Sequence, residues 1–164
     1  MNGPTGRSTR THDFRLPFRG ACCVPVASDV ETQTMPFDLA ESFLLAAECE
    51  LGTRLPKSYR LAMLRENGGE IEIDDDDWQQ YPVADTSDRK RLSRSANHIL
   101  KETDSCRGWA RFPEHAVAIA GNGAGDQLVL LKQNGVIAPE VYAWLHESGE
   151  LKKVADDFSL LKTS

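Results

Sequence analysis

The 164-residue sequence lacks long hydrophobic runs, and no stretch reaches the roughly 18 consecutive apolar residues that a transmembrane helix requires. Positive charge is also scarce, because 19 Lys and Arg stand against 25 Asp and Glu and give a net charge of −6. A surface that neutralises many phosphates is therefore not expected, and any contact with nucleic acid would have to be local. We expect neither a membrane protein nor a direct nucleic-acid binder.

Motifs that carry chemistry are scarce too. The four cysteines have no regular spacing, and neighbouring Cys22 and Cys23 cannot easily bridge each other, so we expect no disulfide framework and a reducing cytoplasm. No HExxH, CxxC, GxSxG or Gly-Lys-Ser/Thr motif occurs, which predicts no metal site and no cofactor. Cys106 with His98 or His115 is the only nearby Cys/His combination, and we favour an ordinary thiol. The sequence predicts a protein that is not an enzyme.

Residues 1–35 differ from the rest of the chain. They carry four Arg against three acidic residues and have no periodic apolar pattern, and the short apolar run before Pro25 does not make a secretory signal. Two interpretations stay open: a disordered tail, or an upstream extension that does not belong to the functional protein. In both cases we expect a single domain over residues 36–162.

Apolar periodicity predicts helices at both ends of this domain. Asp38 to Glu41 has the form of a capping box for a helix that stops at Gly52. Leu55-Pro56 begins a second helix that ends at residues 67–69, which read Asn-Gly-Gly. Leucines, alanines and branched residues at helical spacing predict a third helix around residues 92–100 and a C-terminal amphipathic helix at 151–161. Residues 103–111 are predicted to form a loop.

Alternating and branched apolar residues predict strands between the helices. The predicted strands are residues 70–73, 78–83, 116–120, 127–131 and 141–145, and the turns between them are residues 74–77, 121–126 and 134–135. Helices at the ends and strands between them favour an α+β fold, in which helices pack on a mostly antiparallel sheet.

The glycine-rich segment 121–126 resembles a phosphate cradle only superficially. A dinucleotide fingerprint needs a helix directly after the glycines, and none is predicted here. We favour a hairpin turn with positive φ at two or more positions, including Gly125, in which Asp126 accepts backbone amide hydrogens.

An acidic stretch is the strongest candidate for binding. Between Arg65 and Arg89 there are nine acidic residues and no basic one, and four of them are consecutive. The spacing does not match a calcium loop. On charge alone a solvated loop is the favoured interpretation, and the alternative is a surface that steers a basic partner. For that alternative the candidate contact residues are Asp74, Asp75, Asp76, Asp77, Trp78 and Tyr81.

Several segments together resemble one family. Residues 50–69 read ELGTRLPKSYRLAMLRENGG, which is similar to the "LG..LP..Y..f....NGG" opening of the SUKH superfamily, also called the Smi-one/Knr-four family. The aromatic strand at 78–83, the turn at 119–126 and the segment 141–147 follow in the expected order. The resemblance covers about residues 36–162. It marks as signature positions Leu55, Pro56, Tyr59, Asn67, Gly68, Gly69, Gly125, Asp126 and Trp144.

The resemblance implies an α+β domain and a role that does not need catalysis. Bacterial members are chiefly immunity proteins that bind and neutralise polymorphic toxins inside the producing cell, and fungal members regulate cell-wall synthesis. We therefore expect a cytoplasmic, protein-binding immunity protein whose partner is a basic toxin domain, for example a nuclease. The alternative is an intracellular regulatory or scaffold protein of the same fold. The family signature indicates the fold, and it does not identify the partner.

Overall fold

The computed structural model describes residues 38–163, so the predicted N-terminal extension at 1–35 lies outside the described residues. None of the helices in this region is both long and apolar enough to cross a membrane. The helices are α1 (Glu41–Leu51), α2 (Lys57–Arg65), α3 (Arg89–Arg94) and α4 (Ile99–Arg107). The strands are β1 (Gly69–Ile73), β2 (Asp76–Gln80), β3 (Ala116–Gly121), β4 (Gln127–Gln133), β5 (Val136–Trp144), β6 (Leu151–Ala155) and β7 (Lys162–Thr163).

The first two helices form where the sequence predicts them. α1 ends at Gly52, which has φ +66° and donates its amide to the carbonyls of Glu48 and Cys49. The predicted capping box is wrong, because α1 begins after Ala40 and no side chain caps it. Asp38 lies two residues before that cap, and its carbonyl instead accepts a hydrogen bond from Arg91.

A buried carboxylate ties α1 to α2. Glu48 accepts the backbone amide of Leu55 at 2.8 Å and pairs with the guanidinium of Arg60, which also contacts Glu41 at 2.9 Å. Glu48 and Arg60 neutralise each other, and either charge would be costly to bury alone.

The middle of the chain holds two short helices where one was predicted. Asp88 accepts the Arg91 amide at the start of α3, and His98 accepts the Lys101 amide at the start of α4. The predicted loop at residues 103–111 is wrong, since α4 runs through to Arg107. The buried face of α4 is Ile99, Thr103 and Cys106, and the last two residues are too small and polar to produce a strong apolar signal.

The predicted C-terminal helix at 151–161 is also wrong. Its first part is β6, which pairs with β5, and its second part contains a short 3-10 turn at Phe158–Leu160. The turn at Ser148 and Gly149 reverses the chain directly beside β5, so backbone pairing overrides the helical spacing of the apolar residues. Phe158 packs edge-on against Tyr59 of α2 at 5.0 Å.

All strand pairs in the sheet are antiparallel, and the strand order is β6-β5-β4-β3-β2-β1-β7. A flat sheet of this size would separate β6 from β7 by about 29 Å, whereas the chain joining them spans at most about 25 Å when extended. The sheet must therefore curl, and Lys152 of β6 indeed lies 3.8 Å from Asp74 beside β1.

The core lies between the concave face of this sheet and the helices. Its largest fully buried side chains include Tyr59, Leu44, Met63, Ile71, Ile99, Ile119, Leu128, Leu130 and Phe158. A smaller cluster around Trp144 covers the opposite face, where Phe112 packs edge-on at 5.2 Å. The α+β fold with a mostly antiparallel sheet is confirmed.

Candidate functional site at the loop end of the sheet

The hairpin that β1 and β2 form, residues 69–80, carries the acidic run and is called the acidic hairpin below. Asp74 and Asp75 make its turn with φ of +52° and +65°, the left-handed conformation of a two-residue type I′ turn. Asp76 and Asp77 are already paired in β2, opposite Ile73 and Glu72. The predicted four-residue acidic turn is therefore two residues long.

The hairpin separates an apolar face from an acidic face. Ile71 and Trp78 oppose each other and are both buried in the core. Because side chains alternate along a strand, the neighbours Glu70, Glu72 and Asp77 lie on the other, exposed face. Glu72 and Asp77 stand directly opposite each other, an arrangement of like charges that weakens a hairpin.

Few cations compensate these carboxylates. Asp74 pairs with Lys152 at 3.8 Å, and both side chains are largely exposed, so this contact is weak. Among residues 38–161, whose side chains the structure describes, there is no ion pair to Glu70, Glu72, Asp75 or Asp77, and the register of β7 places Lys162 opposite Glu72. The acidic hairpin therefore presents a negative field to solvent.

Asp85 and Asp88, two further residues of the acidic stretch, are used internally. Asp85 is only 3% exposed and binds Arg91 at 2.7 Å and Ser87 at 2.6 Å. Burial opposes its ionisation, but the hydrogen bonds from Ser87 and Arg91 outweigh burial and lower the pKa of the carboxyl. Asp88 caps α3. The acidic surface is thus narrower than the stretch from residue 66 to residue 88.

The glycine-rich loop between β3 and β4 lies beside the acidic hairpin. The Asn122 carboxamide accepts the amides of Ala124 and Asp126 and donates to Asp76 at 2.9 Å. Gly125 has φ +93°, as predicted, and its amide donates to the Asn122 carbonyl, but no other residue of 121–126 has a positive φ, so the expectation of two or more such positions is wrong. These three amides are occupied inside the loop, which disfavours a phosphate cradle.

Asp126 accepts a backbone amide hydrogen, as predicted, but the amide belongs to another loop rather than to its own turn. Its carboxylate accepts the backbone amide of His146 at 2.8 Å and so joins the β3–β4 loop to the β5–β6 loop. The His146 ring packs edge-on against Trp144 and Trp109, and these two indoles stack at 5.8 Å. The acidic hairpin, the β3–β4 loop and the β5–β6 loop lie at this end of the sheet. They are joined by the hydrogen bonds from Asn122 to Asp76 and from His146 to Asp126.

The structure does not bring all six predicted contact residues to the surface. The four aspartates are exposed, but Trp78 is 5% exposed and fills the core, so its place on a contact surface is a wrong prediction. Tyr81 is half-buried and donates to Gln127 at 2.9 Å, and burial is the main cause that raises its pKa to about 12. Glu70 and Glu72 were missed, although the alternation around Ile71 places them on one face.

Cys106, the cysteine of the Cys/His combination, does not have the properties of a reactive thiol. Cys106 is buried, and burial, followed by the nearby Glu102, raises its pKa to about 11. A nucleophilic cysteine needs the opposite shift, toward the thiolate. Among the described residues no group of three or more His, Cys, Asp or Glu side chains is arranged to hold a metal ion.

Comparison with known proteins gives one match. Residues 39–161, well over half of the chain, match the model of the SMI1 / KNR4 family (SUKH-1). No curated protein and no solved structure matches the chain.

Proposed function

The chain belongs to the SMI1 / KNR4 family (SUKH-1), and on this premise we propose that it is an immunity protein, which binds a cognate toxin in the cytoplasm and neutralises it without catalysis. The proposed partner is a basic toxin domain, for example a nuclease, whose phosphate-binding groove the acidic hairpin would occupy. Charge complementarity of this kind accelerates association and selects partners.

The acidic hairpin is the observation that carries the proposal. Its exposed carboxylates are held on paired strands, so their spacing is fixed before a partner arrives. The like charges of Glu72 and Asp77 oppose each other across the hairpin, and a basic partner would relieve their repulsion. Like charges placed opposite each other break a local rule of stability, and such departures often mark functional surfaces.

The experiment compares capture by two forms of the full chain. The first is the natural sequence, and the second replaces Asp74, Asp75, Asp76 and Asp77 by Asn. Proteins bound in the native cell are identified by mass spectrometry, and each captured protein is then expressed with and without the chain to measure protection of growth. The matched control neutralises four exposed carboxylates elsewhere: Glu50→Gln, Asp104→Asn, Glu114→Gln and Asp156→Asn.

A basic, growth-inhibiting protein that both the natural chain and the control variant bind and neutralise, and that the quadruple Asn variant binds more slowly, would support the proposal. A captured protein that is not toxic would favour the alternative, a regulatory or scaffold protein of the same fold. Equal association rates and salt dependence for the natural chain and the Asn variant would show that the acidic hairpin is a solvated turn.

A further inference from the structure

A second surface, opposite in charge, lies between α2 and the segment 156–161. It is a groove of about 510 Å³, called the α2 groove below. Ala62, Phe158 and Leu161 give it an apolar lining, and the lining residue Leu61 is 57% exposed and adds apolar surface open to solvent. The groove therefore offers an apolar contact that the described residues 38–163 leave open.

Two cations frame this groove. Lys57 and Arg65 both line it and lie eight residues apart on α2, which places their Cα atoms about 12 Å apart along the helix axis. In the described part of the chain neither forms an ion pair. Asp157 also lines the groove, so its net charge is +1 (two cations and one carboxylate), within a chain of net charge −6.

The Asp157 carboxylate is already engaged. It accepts hydrogen bonds from Ser58 at 2.9 Å and from the hydroxyl and amide of Ser159 at 2.6 and 2.9 Å. The hydrogen bonds from Ser159 are the main cause that lowers its pKa. Its oxygens hold the 3-10 turn against α2, which leaves the two cations as the groups free to bind a ligand.

Lys57 stands where a helix disfavours a cation. It is the first residue of α2, whose first turn has no acidic residue and whose cap, Pro56, offers no side-chain hydrogen bond. The positive end of the helix dipole repels a lysine at this position and attracts a carboxylate. An external carboxylate bound beside Lys57 would resolve this unfavourable arrangement.

We propose that the α2 groove binds an acidic segment of a partner protein in extended conformation, with the pattern acidic, any residue, apolar, any residue, acidic. An extended chain advances about 3.3 Å per residue and points every second side chain to the same side. The two acidic residues would then lie about 13 Å apart, matching Lys57 and Arg65, with the apolar residue between them on Leu61. This surface is independent of the acidic hairpin, which suits a basic partner.

The test uses the full chain and two capped pentapeptides. The first is Glu-Ser-Leu-Ser-Glu and the second is Lys-Ser-Leu-Ser-Lys, and binding is followed by amide chemical shifts at low ionic strength. We expect saturable shifts in α2 and in segment 156–161 with the acidic peptide, at a Kd of about 1 mM because its ion pairs are exposed. The basic peptide should not produce shifts there.

Charge reversal gives the decisive comparison. The double variant Lys57→Glu and Arg65→Glu should bind the acidic peptide about tenfold more weakly and should gain binding of the basic peptide in the same groove. The matched control is Arg89→Glu with Lys90→Glu on exposed positions of α3, which changes the net charge equally and should leave binding intact. Should the groove variant fail to fold, Leu61→Ser removes the exposed apolar contact and should weaken the acidic peptide several-fold.

Two results would overturn the proposal. The first is acidic-peptide binding that survives both the charge reversal and Leu61→Ser, or that maps outside the groove. The second is a set of groove shifts that depends on protein concentration without peptide and moves together with the acidic hairpin, which would show that a second copy of the chain occupies the groove.

Discussion

Replacing Asp74, Asp75, Asp76 and Asp77 by Asn tests whether the acidic hairpin contributes charge or stability. The substitution keeps side-chain size and removes four negative charges from exposed positions. If the carboxylates serve a partner, the isolated chain should not depend on them. We therefore expect the stability of the variant to lie within about 1 kcal/mol of that of the natural chain.

The expected magnitude comes from four contributions. The first is small, because the carboxamide oxygen introduced by Asp76→Asn can still accept the hydrogen bond that Asn122 donates. Asn adopts the left-handed conformation of Asp74 and Asp75 at least as readily as Asp, so the turn is kept. Removing the charge of Asp77 opposite Glu72 relieves a repulsion of about 0.7 kcal/mol for charges about 6 Å apart in water. Losing the exposed contact of Asp74 to Lys152 costs at most about 1 kcal/mol. The sum lies within about 1 kcal/mol of zero.

Thermal unfolding followed by circular dichroism measures this balance at two ionic strengths. At about 0.01 M salt the screening length is about 30 Å, so the repulsion within the hairpin is only weakly screened. At about 1 M salt the screening length falls to about 3 Å and the repulsion is largely screened. Salt should therefore stabilise the natural chain more than the Asn variant. The control with Glu50, Asp104, Glu114 and Asp156 neutralised should keep the salt response of the natural chain.

A loss of more than about 1 kcal/mol in the Asn variant at low salt would refute this reasoning, since the exposed contacts of Asp74 to Lys152 and of Asp76 to Asn122 do not account for a loss of that size. Such a loss would mean that the carboxylates are held by a group that stabilises the folded chain. The same outcome in the control variant would instead point to a general effect of net charge.

The remaining predictions concern the loops, the buried thiol and the N-terminal segment. Gly125→Val should destabilise by more than about 1 kcal/mol, because φ +93° is strained for a β-branched residue, and an unchanged melting temperature would contradict the turn. Asp126→Ala should cost about 1 kcal/mol through the lost hydrogen bond from the His146 amide, and a chemical denaturation midpoint that does not move would contradict it. The pKa of Cys106 rises from 9.0 to about 11 on folding, so the folded chain favours the neutral thiol. Its contribution to stability is therefore full below about pH 9 and is lost as the pH rises toward 11, and Cys106→Ala should flatten this decline in a pH series of unfolding curves. Removal of residues 1–35 should change the melting temperature by less than about 2 °C, because α1 begins only at Glu41, and a larger drop would show that the segment stabilises the domain.

The sequence predicts elements well where the local signal and the tertiary contacts agree. Gly52 ends α1 and Gly125 makes its turn because positive φ is a property of the single residue. Alternation around Ile71 also predicts β1, since only one face of that strand is buried. The conformation of these elements is determined by a few neighbouring residues.

Prediction fails where a partner far along the chain decides the structure. The residues of β6 have helical spacing, but pairing with β5 after the turn at Gly149 makes them a strand. Trp78 was assigned to the surface because it follows four aspartates, and only its register opposite Ile71 places it in the core. The α2 groove gave no sequence signal, because segment 156–161 completes it from the other end of the chain.

The two proposed surfaces have one physical feature in common, an unfavourable placement of charge. Whether they act independently can be tested. In each, charges stand where the fold disfavours them: Glu72 faces Asp77 across a hairpin, and Lys57 begins a helix. Gln80 of the hairpin contacts Met63 of α2 and β1 pairs with β7, but among the described residues no hydrogen bond or ion pair joins the hairpin to a residue that lines the α2 groove, so changes at the two places should add. A chain with both surfaces altered should therefore lose each binding activity by the same factor as the corresponding single-surface variant. A larger combined loss would mean that one partner contacts both surfaces at once.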